Sequence, residues 1–125
     1  MRRTVEQILY RKGSDVIGAA PATTVREAVR RMIEADVSCL LVEQRPDVFG
    51  IFTERDLARR VVAAGKDPST THLAEVMSSP VYHCTPSDTV EQCLRAMAEH
   101  HIRHLAVFED GKLVGVLTLR DLLSA

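Results

Sequence analysis

The feature that most constrains this chain is an internal duplication. Shifted so that Pro21 falls on Pro86, the sequence aligns with itself without a gap as far as Leu57 on Leu122. Thirteen positions are identical (Pro21, Thr24, Val25, Arg30, Met32, Glu34, Leu40, Val42, Gly50, Thr53, Arg55, Asp56 and Leu57), where roughly 2 would be expected from average residue usage. Most other core positions exchange one apolar residue for another, as in Val37/Ile102, Val48/Leu113 and Ile51/Val116. The likeness extends further back across a short gap, since Thr4-Val-Glu-Gln-Ile8-Leu9 resembles His72-Leu-Ala-Glu-Val76-Met77. A chain of this length is one ordinary domain, so it must be built from two small copies of one unit.

Each copy reads as β-α-β-β-α. Thr24-x-x-Glu27 and Thr89-x-x-Gln92 have the form of capping boxes. The helices they open carry apolar stripes of Val25, Ala28, Val29, Met32 and Ile33 in one copy and Val90, Cys93, Leu94 and Met97 in the other. Two apolar runs then form a hairpin: Cys39–Val42 and Val48–Phe52 about Arg45-Pro46-Asp47, and His104–Phe108 and Leu113–Leu117 about Glu109–Lys112. A second helix begins at Thr53 or Thr118, and in the first copy it is expected to stop at Gly65. Residues 66–72 read as a linker, giving repeats of 1–66, with an N-terminal helix, and 67–125. A repeat of this size buries little surface alone, so the expected fold is α/β (α+β), with the two repeats packed under pseudo-twofold symmetry.

Composition removes several functions. Lys plus Arg number 16 against 17 Asp plus Glu, so no global field draws the chain to nucleic acid or an acidic membrane. With two Tyr, three Phe and no Trp, stacking platforms for single strands are scarce. No apolar run approaches the roughly 20 residues of a membrane span, and the first residues lack a signal peptide's apolar core, so the expected location is cytoplasmic. Cys39, Cys84 and Cys93 are odd in number and lie in apolar surroundings, which reads as packed, reduced thiols. His100, His101 and His104 near Cys84 invite a metal reading, but no second cluster supports it and no metal is expected. No nucleophile and base pair is evident, so the chain is not expected to be an enzyme.

The most informative string is Gly50-Ile-Phe-Thr53-Glu-Arg55-Asp56, repeated as Gly115-Val-Leu-Thr118-Leu-Arg120-Asp121. Glycine would let a ligand approach the strand, threonine stands where phosphate is favoured, and the aspartate can accept two hydrogen bonds from a ribose diol. The same Thr-x-x-Asp is also an ordinary helix cap.

These residues resemble a pair of CBS domains, the Bateman module. The carriers are Val76-Met77 before Pro80, Thr85-Pro86-Ser-Asp-Thr89-Val90, Ile102-Arg103-His104-Leu105-x-Val107 and the two Gly-x-x-Thr-x-Arg-Asp strings. The resemblance implies that the chain binds an adenosine-type nucleotide (AMP or ATP foremost, then ADP, S-adenosylmethionine or NAD) in clefts between the repeats. By position, Gly50, Thr53, Arg55 and Asp56 would face Tyr82, His83, Thr85, Arg103 and His104. Likewise Gly115, Thr118, Arg120 and Asp121 would face Val16, Ile17, Val37 and Ser38. The implied role is a homodimeric, stand-alone regulatory module, without an attached effector domain, signalling to a separate protein. The alternative is a ligand-free structural or oligomerisation module of the same fold.

Overall fold

The structure, a computed structural model, describes residues 3–13 and 16–124. The chain divides into two compact units, one of Ile17–Val81 and one of Met1–Val16 with Tyr82–Ala125. Both are built on the same plan.

In the Ile17–Val81 unit, β1 (Gly18–Ala19) runs parallel to β2 (Cys39–Gln44), which pairs antiparallel with β3 (Asp47–Thr53). The crossover is α2 (Val25–Ala35). Thr24 caps α2 by accepting from Glu27 N–H at 3.3 Å, but the expected box is only half formed. The Glu27 carboxylate instead takes Arg30 at 2.6 Å and Arg31 at 3.2 Å, one turn further on. The buried face is Val25, Ala28 and Met32, with Val29 at its margin; Ile33, expected in the stripe, is 73% exposed. At 100° per residue Ile33 falls on the far side of Met32 from Ala28, beyond the edge of the sheet-facing strip. After β3 comes α3 (Glu54–Asp56), which widens into a π-helical turn, Leu57–Val62, and stops near Gly65 at φ +71°.

The other unit repeats this with β4 (His83–Cys84), α5 (Val90–His100), β5 (His104–Glu109), β6 (Lys112–Thr118) and α6 (Leu119–Leu123). Its strand order, β4-β5-β6, is parallel then antiparallel, as in the first. The hairpin turn is Asp110-Gly111, both at positive φ, which matches the right-handed twist of the strands. Here the Thr89/Gln92 capping box is complete, and α5 ends on His101 in the left-handed region.

The repeat borders and the borders of the compact units differ because each short helix packs with the copy other than the one it precedes. Helix α1 (Val5–Lys12) precedes the first repeat in sequence, yet its Val5, Ile8 and Leu9 join the core of Cys84, Val90, Cys93, Met97, Leu105, Val107, Leu117 and Leu122. Helix α4 (Leu73–Val76) precedes the second, yet its Leu73 and Val76 join the core of Val25, Ala28, Met32, Leu40, Val42, Phe52 and Val61. The exchange is fixed by matching hydrogen bonds. Val25 and Arg26 N–H, orphaned at the start of α2, donate to Thr71 O at 2.9 Å and Pro68 O at 3.0 Å. Val5 and Glu6 N–H donate to Asp88 O and Pro86 O, both at 2.9 Å, while Val90 N–H donates to Arg3 O at 3.0 Å. Residues 66–72, a linker by composition, therefore cap α2.

Leu73 belongs to a four-residue helix that could not persist alone, and it is fully buried. Leu73→Ala is expected to cost about 2–5 kcal/mol, the range of a core leucine, as read from urea unfolding.

Candidate functional site

The two Gly-x-x-Thr-x-Arg-Asp strings occupy the same corner of each unit, where the last strand turns into its helix. Gly50 pairs with Val42 and Thr53 with Cys39; Gly115 pairs with Val107 and Thr118 with His104.

The glycines are needed for a reason other than ligand approach. A Cβ on Gly50 would lie 2.6 Å from Met77 Sδ and 2.8 Å from Ser78 O, because the chain leaving α4 pairs with Ile51 through two hydrogen bonds of 2.8 and 2.9 Å. At Gly115 the intruder would be Leu9 Cδ2 at 2.8 Å. Both positions thus hold the strand open to the exchanged helix of the same unit.

The threonine and aspartate form complete capping boxes in both units. Thr53 N–H donates to Asp56 Oδ2 at 3.0 Å and Asp56 N–H to Thr53 Oγ1 at 3.2 Å. Thr118 N–H donates to Asp121 Oδ2 at 2.8 Å and Asp121 N–H to Thr118 Oγ1 at 3.1 Å. Beyond the cap, the carboxylates differ. Asp56 is 5% exposed, accepts from the Ser78 hydroxyl at 2.7 Å and from Thr53 Oγ1 at 3.2 Å, and has Arg60 Nε at 3.7 Å. Asp121 is half-buried and pairs with Lys12 Nζ at 2.6 Å; the same ammonium donates to Val116 O at 2.9 Å. Burial pushes the Asp121 carboxyl up, but hydrogen bonds from Lys12 and Thr118 and the Lys12 charge outweigh it and hold the group below the usual carboxylate range.

The other expected site residues separate by unit. Gly50, Thr53, Arg55 and Asp56 share a unit with Ile17, Val37 and Ser38. There Ser38 O accepts from Glu54 N–H at 3.1 Å, directly after Thr53, Ile17 O accepts from Leu41 N–H at 3.1 Å, and Arg55 and Val37 are exposed. Gly115, Thr118, Arg120 and Asp121 share the other unit with Val16, Tyr82, His83, Thr85, Arg103 and His104. Arg103 O accepts from Leu119 N–H at 2.9 Å, so Arg103 and His104 flank Thr118. Tyr82 stacks on His100 at 4.0 Å, His83 meets Phe108 edge-on at 5.7 Å, and Thr85 N–H donates to Asp88 at 2.8 Å. Val16 is half-buried.

Lys12 and Ser78 were not singled out from the sequence. The alignment of Thr4–Leu9 with His72–Met77 stops just short of both, and only the exchange of short helices shows which aspartate each one meets.

Among the described residues no group of three or more His, Cys, Asp or Glu side chains could hold a metal, and no helix is long and apolar enough to cross a membrane. All three cysteines are buried thiols; a hydrogen bond to Cys93 and burial push the Cys84 thiol well up, so it stays protonated and a poor nucleophile.

Asp56→Ala is expected to destabilise by about 2–3 kcal/mol, because it strands the partly buried Ser78 hydroxyl and Thr53 N–H, whereas Asp121→Ala costs about 1 kcal/mol, the scale of a partly exposed cap. Chemical denaturation at neutral pH measures both.

The depressed Asp121 value contributes stability above the carboxyl's ordinary pKa, and this is lost as pH falls through the lower folded value. Since Lys12 causes much of the depression, Lys12→Met should flatten the stability–pH curve below about pH 4, by no more than about 1 kcal/mol for so exposed a pair.

The CBS domain family matches the chain twice, over residues 5–63 and 73–125. An uncharacterized protein of Methanopyrus kandleri is 35% identical over 111 residues, covering 87% of this chain and 57% of that one. The CBS domain-containing protein YhcV of Bacillus subtilis is 33% identical over 109 residues, covering 87% and 77%. The chain thus spans little more than half of the first relative. A solved structure of a protein with CBS domains from Burkholderia ambifaria superposes with a TM-score of 0.93 at 36% identity, over 97% of this chain and 91% of that one. The hexameric CBS-CP12 protein of bloom-forming cyanobacteria superposes with a TM-score of 0.89 at 31% identity, over 99% and 72%.

Proposed function

The chain belongs to the CBS domain family, and from that premise we propose that it is a regulatory module that binds an adenosine nucleotide and reports it to another protein. The observation that carries this reading is the duplicated corner: two strings, identical at Gly, Thr, Arg and Asp, set the same hydroxyl and carboxylate side by side at the same strand-to-helix turn. In each, the aspartate is the group that accepts a ribose diol and the threonine the hydroxyl that neighbours phosphate. Arg103 and His104 supply side-chain donors for phosphate. Charged hydrogen bonds are worth about 1.5–3 kcal/mol against about 1 for neutral ones, so an AMP preference over adenosine of tenfold or more is expected to depend on Arg103.

The reading requires the nucleotide to replace part of what the aspartates already hold. Asp121, half-buried and bonded to a partly exposed lysine, exchanges partners more easily than Asp56, so the Asp121 corner is the stronger binding candidate. The full set of internal partners on Asp56 favours the second reading for that corner, a structural cap without a ligand.

Assembly as a homodimer is part of the same proposal. Tyr10, Ile33, Val62 and Leu123 are exposed apolar side chains that a second copy would cover, and light scattering that reports a 13.9 kDa monomer would exclude it.

A thermal-shift series with AMP, ADP, ATP, NAD and S-adenosylmethionine tests the function. A ligand at about 100 times its Kd adds roughly 2.7 kcal/mol, enough to raise Tm by several degrees. Asp121→Ala should abolish the shift, and Arg103→Ala should bring the AMP and adenosine affinities together. No shift with any of the five at millimolar concentration would leave the structural reading standing.

A further inference from the structure

Away from the two corners, the copies differ in chemistry at two core positions. The self-alignment sets Cys84 on Ala19 and Cys93 on Ala28. Both alanines are buried, at 5% and 0% exposure, so strand and crossover helix each bury a small side chain at these places. In the other unit both places hold thiols. Cys84 stands on β4, an edge strand of two residues, between exposed His83 and Thr85. Cys93 is the fourth residue of α5. The turn joining them is drawn tight, with Asp88 N–H donating to Thr85 O at 3.1 Å and Thr85 N–H to Asp88 Oδ2 at 2.8 Å. The two side chains share one core and are hydrogen-bonded to each other, Cys84 donating. That bond holds the Cys93 thiol below the usual thiol range, against burial and the Asp88 charge, while Cys84 stays protonated. Cys93 is therefore the nucleophile of the pair.

We propose that Cys84 and Cys93 form an oxidative modification site, which hydrogen peroxide closes into a reversible disulfide between β4 and α5. The oxidant is small because Cys84 is 6% and Cys93 2% exposed, which shuts out a disulfide the size of oxidised glutathione. The Cys93 thiolate attacks one peroxide oxygen: an S–O bond forms, the O–O bond breaks, and the departing hydroxide recovers the proton that the thiol gave up and leaves as water. Cys93 is now a sulfenic acid, and the hydrogen bond to a thiolate that kept Cys84 protonated is lost. The Cys84 sulfur attacks the Cys93 sulfur, the S–O bond breaks, and the hydroxyl leaves with the Cys84 proton as a second water. Two thiols and one peroxide thus give one disulfide and two waters, and a dithiol reductant reverses the step. The sulfurs already meet, so the remaining approach to the about 2.0 Å of a disulfide falls to side-chain rotation. The edge position of so short a strand gives peroxide its way in by local opening. None of this rests on a bound nucleotide.

The test takes the full chain, reduced and freed of reductant, through millimolar hydrogen peroxide under native conditions, followed by acid quench, alkylation of the remaining thiols and tryptic mass mapping. Residues 67–95 form one tryptic peptide that carries both cysteines, apart from Cys39. The expected result is that this peptide loses two hydrogens and takes no alkyl group, that Cys39 is alkylated in full, and that dithiothreitol restores both thiols. Cys84→Ala and Cys93→Ala introduce what the other copy carries at the same places, and urea midpoints establish that each is folded. Cys84→Ala should leave a sulfenic acid on Cys93 that dimedone traps, whereas Cys93→Ala should leave Cys84 unoxidised at the same peroxide. The bridged protein should have a higher urea midpoint than the reduced one, since the link restricts the unfolded chain. A wild-type peptide that keeps both thiols, a bridge to Cys39 or to a second copy, or a bridged protein with the lower midpoint would overturn the proposal.

Discussion

The exchange of two short helices governs the rest of this structure. Helices α1 and α4 are eight and four residues long, too short to hold together by their own hydrogen bonds, yet they supply fully buried Val5 and Leu73 to cores that a three-stranded sheet and its two helical segments would leave open. The residues just before them also meet the orphan N–H groups at the starts of the neighbouring helices, as Thr71 and Pro68 do for α2 and Arg3 for α5. Burial and hydrogen bonding therefore act at the same points.

The chemistry of the two corners depends on that exchange. Because the end of α4 lies across β3, residue 50 must be glycine and Ser78 reaches Asp56. Because α1 lies across β6, a side chain at 115 would press on Leu9, and Lys12 reaches Asp121. One motif, kept in both copies, thus acquires a buried, closely bonded environment in one unit and a more open one in the other. The asymmetry arises outside the motif, in the residues just after Leu9 and Met77, where the two copies have diverged.

Much of this architecture was legible in the sequence. The self-alignment gave the β-α-β-β-α order, Thr89/Gln92 marked a complete capping box, and Glu109–Lys112 marked a hairpin turn, because these signals depend on residues within a few positions of one another. Ile33 and Glu27 were misread for the same reason. A helical period shows a stripe but not its width, and Glu27 had Arg30 and Arg31 on the next turn as competitors for the cap.

By itself, then, the sequence determined the repeated fold, the family and the two corners where Thr and Asp stand together, since duplication and local hydrogen bonding are written in residue spacing. Only the tertiary structure decided that α1 joins a unit far from it in sequence, that residues 66–72 and α4 belong with the first repeat, that Gly50 and Gly115 make room for Met77 and Leu9, and that Lys12 meets Asp121 over a hundred residues away. Those pairings are set by which apolar surface a short helix can bury, and burial is a property of the whole packed unit that no local pattern carries.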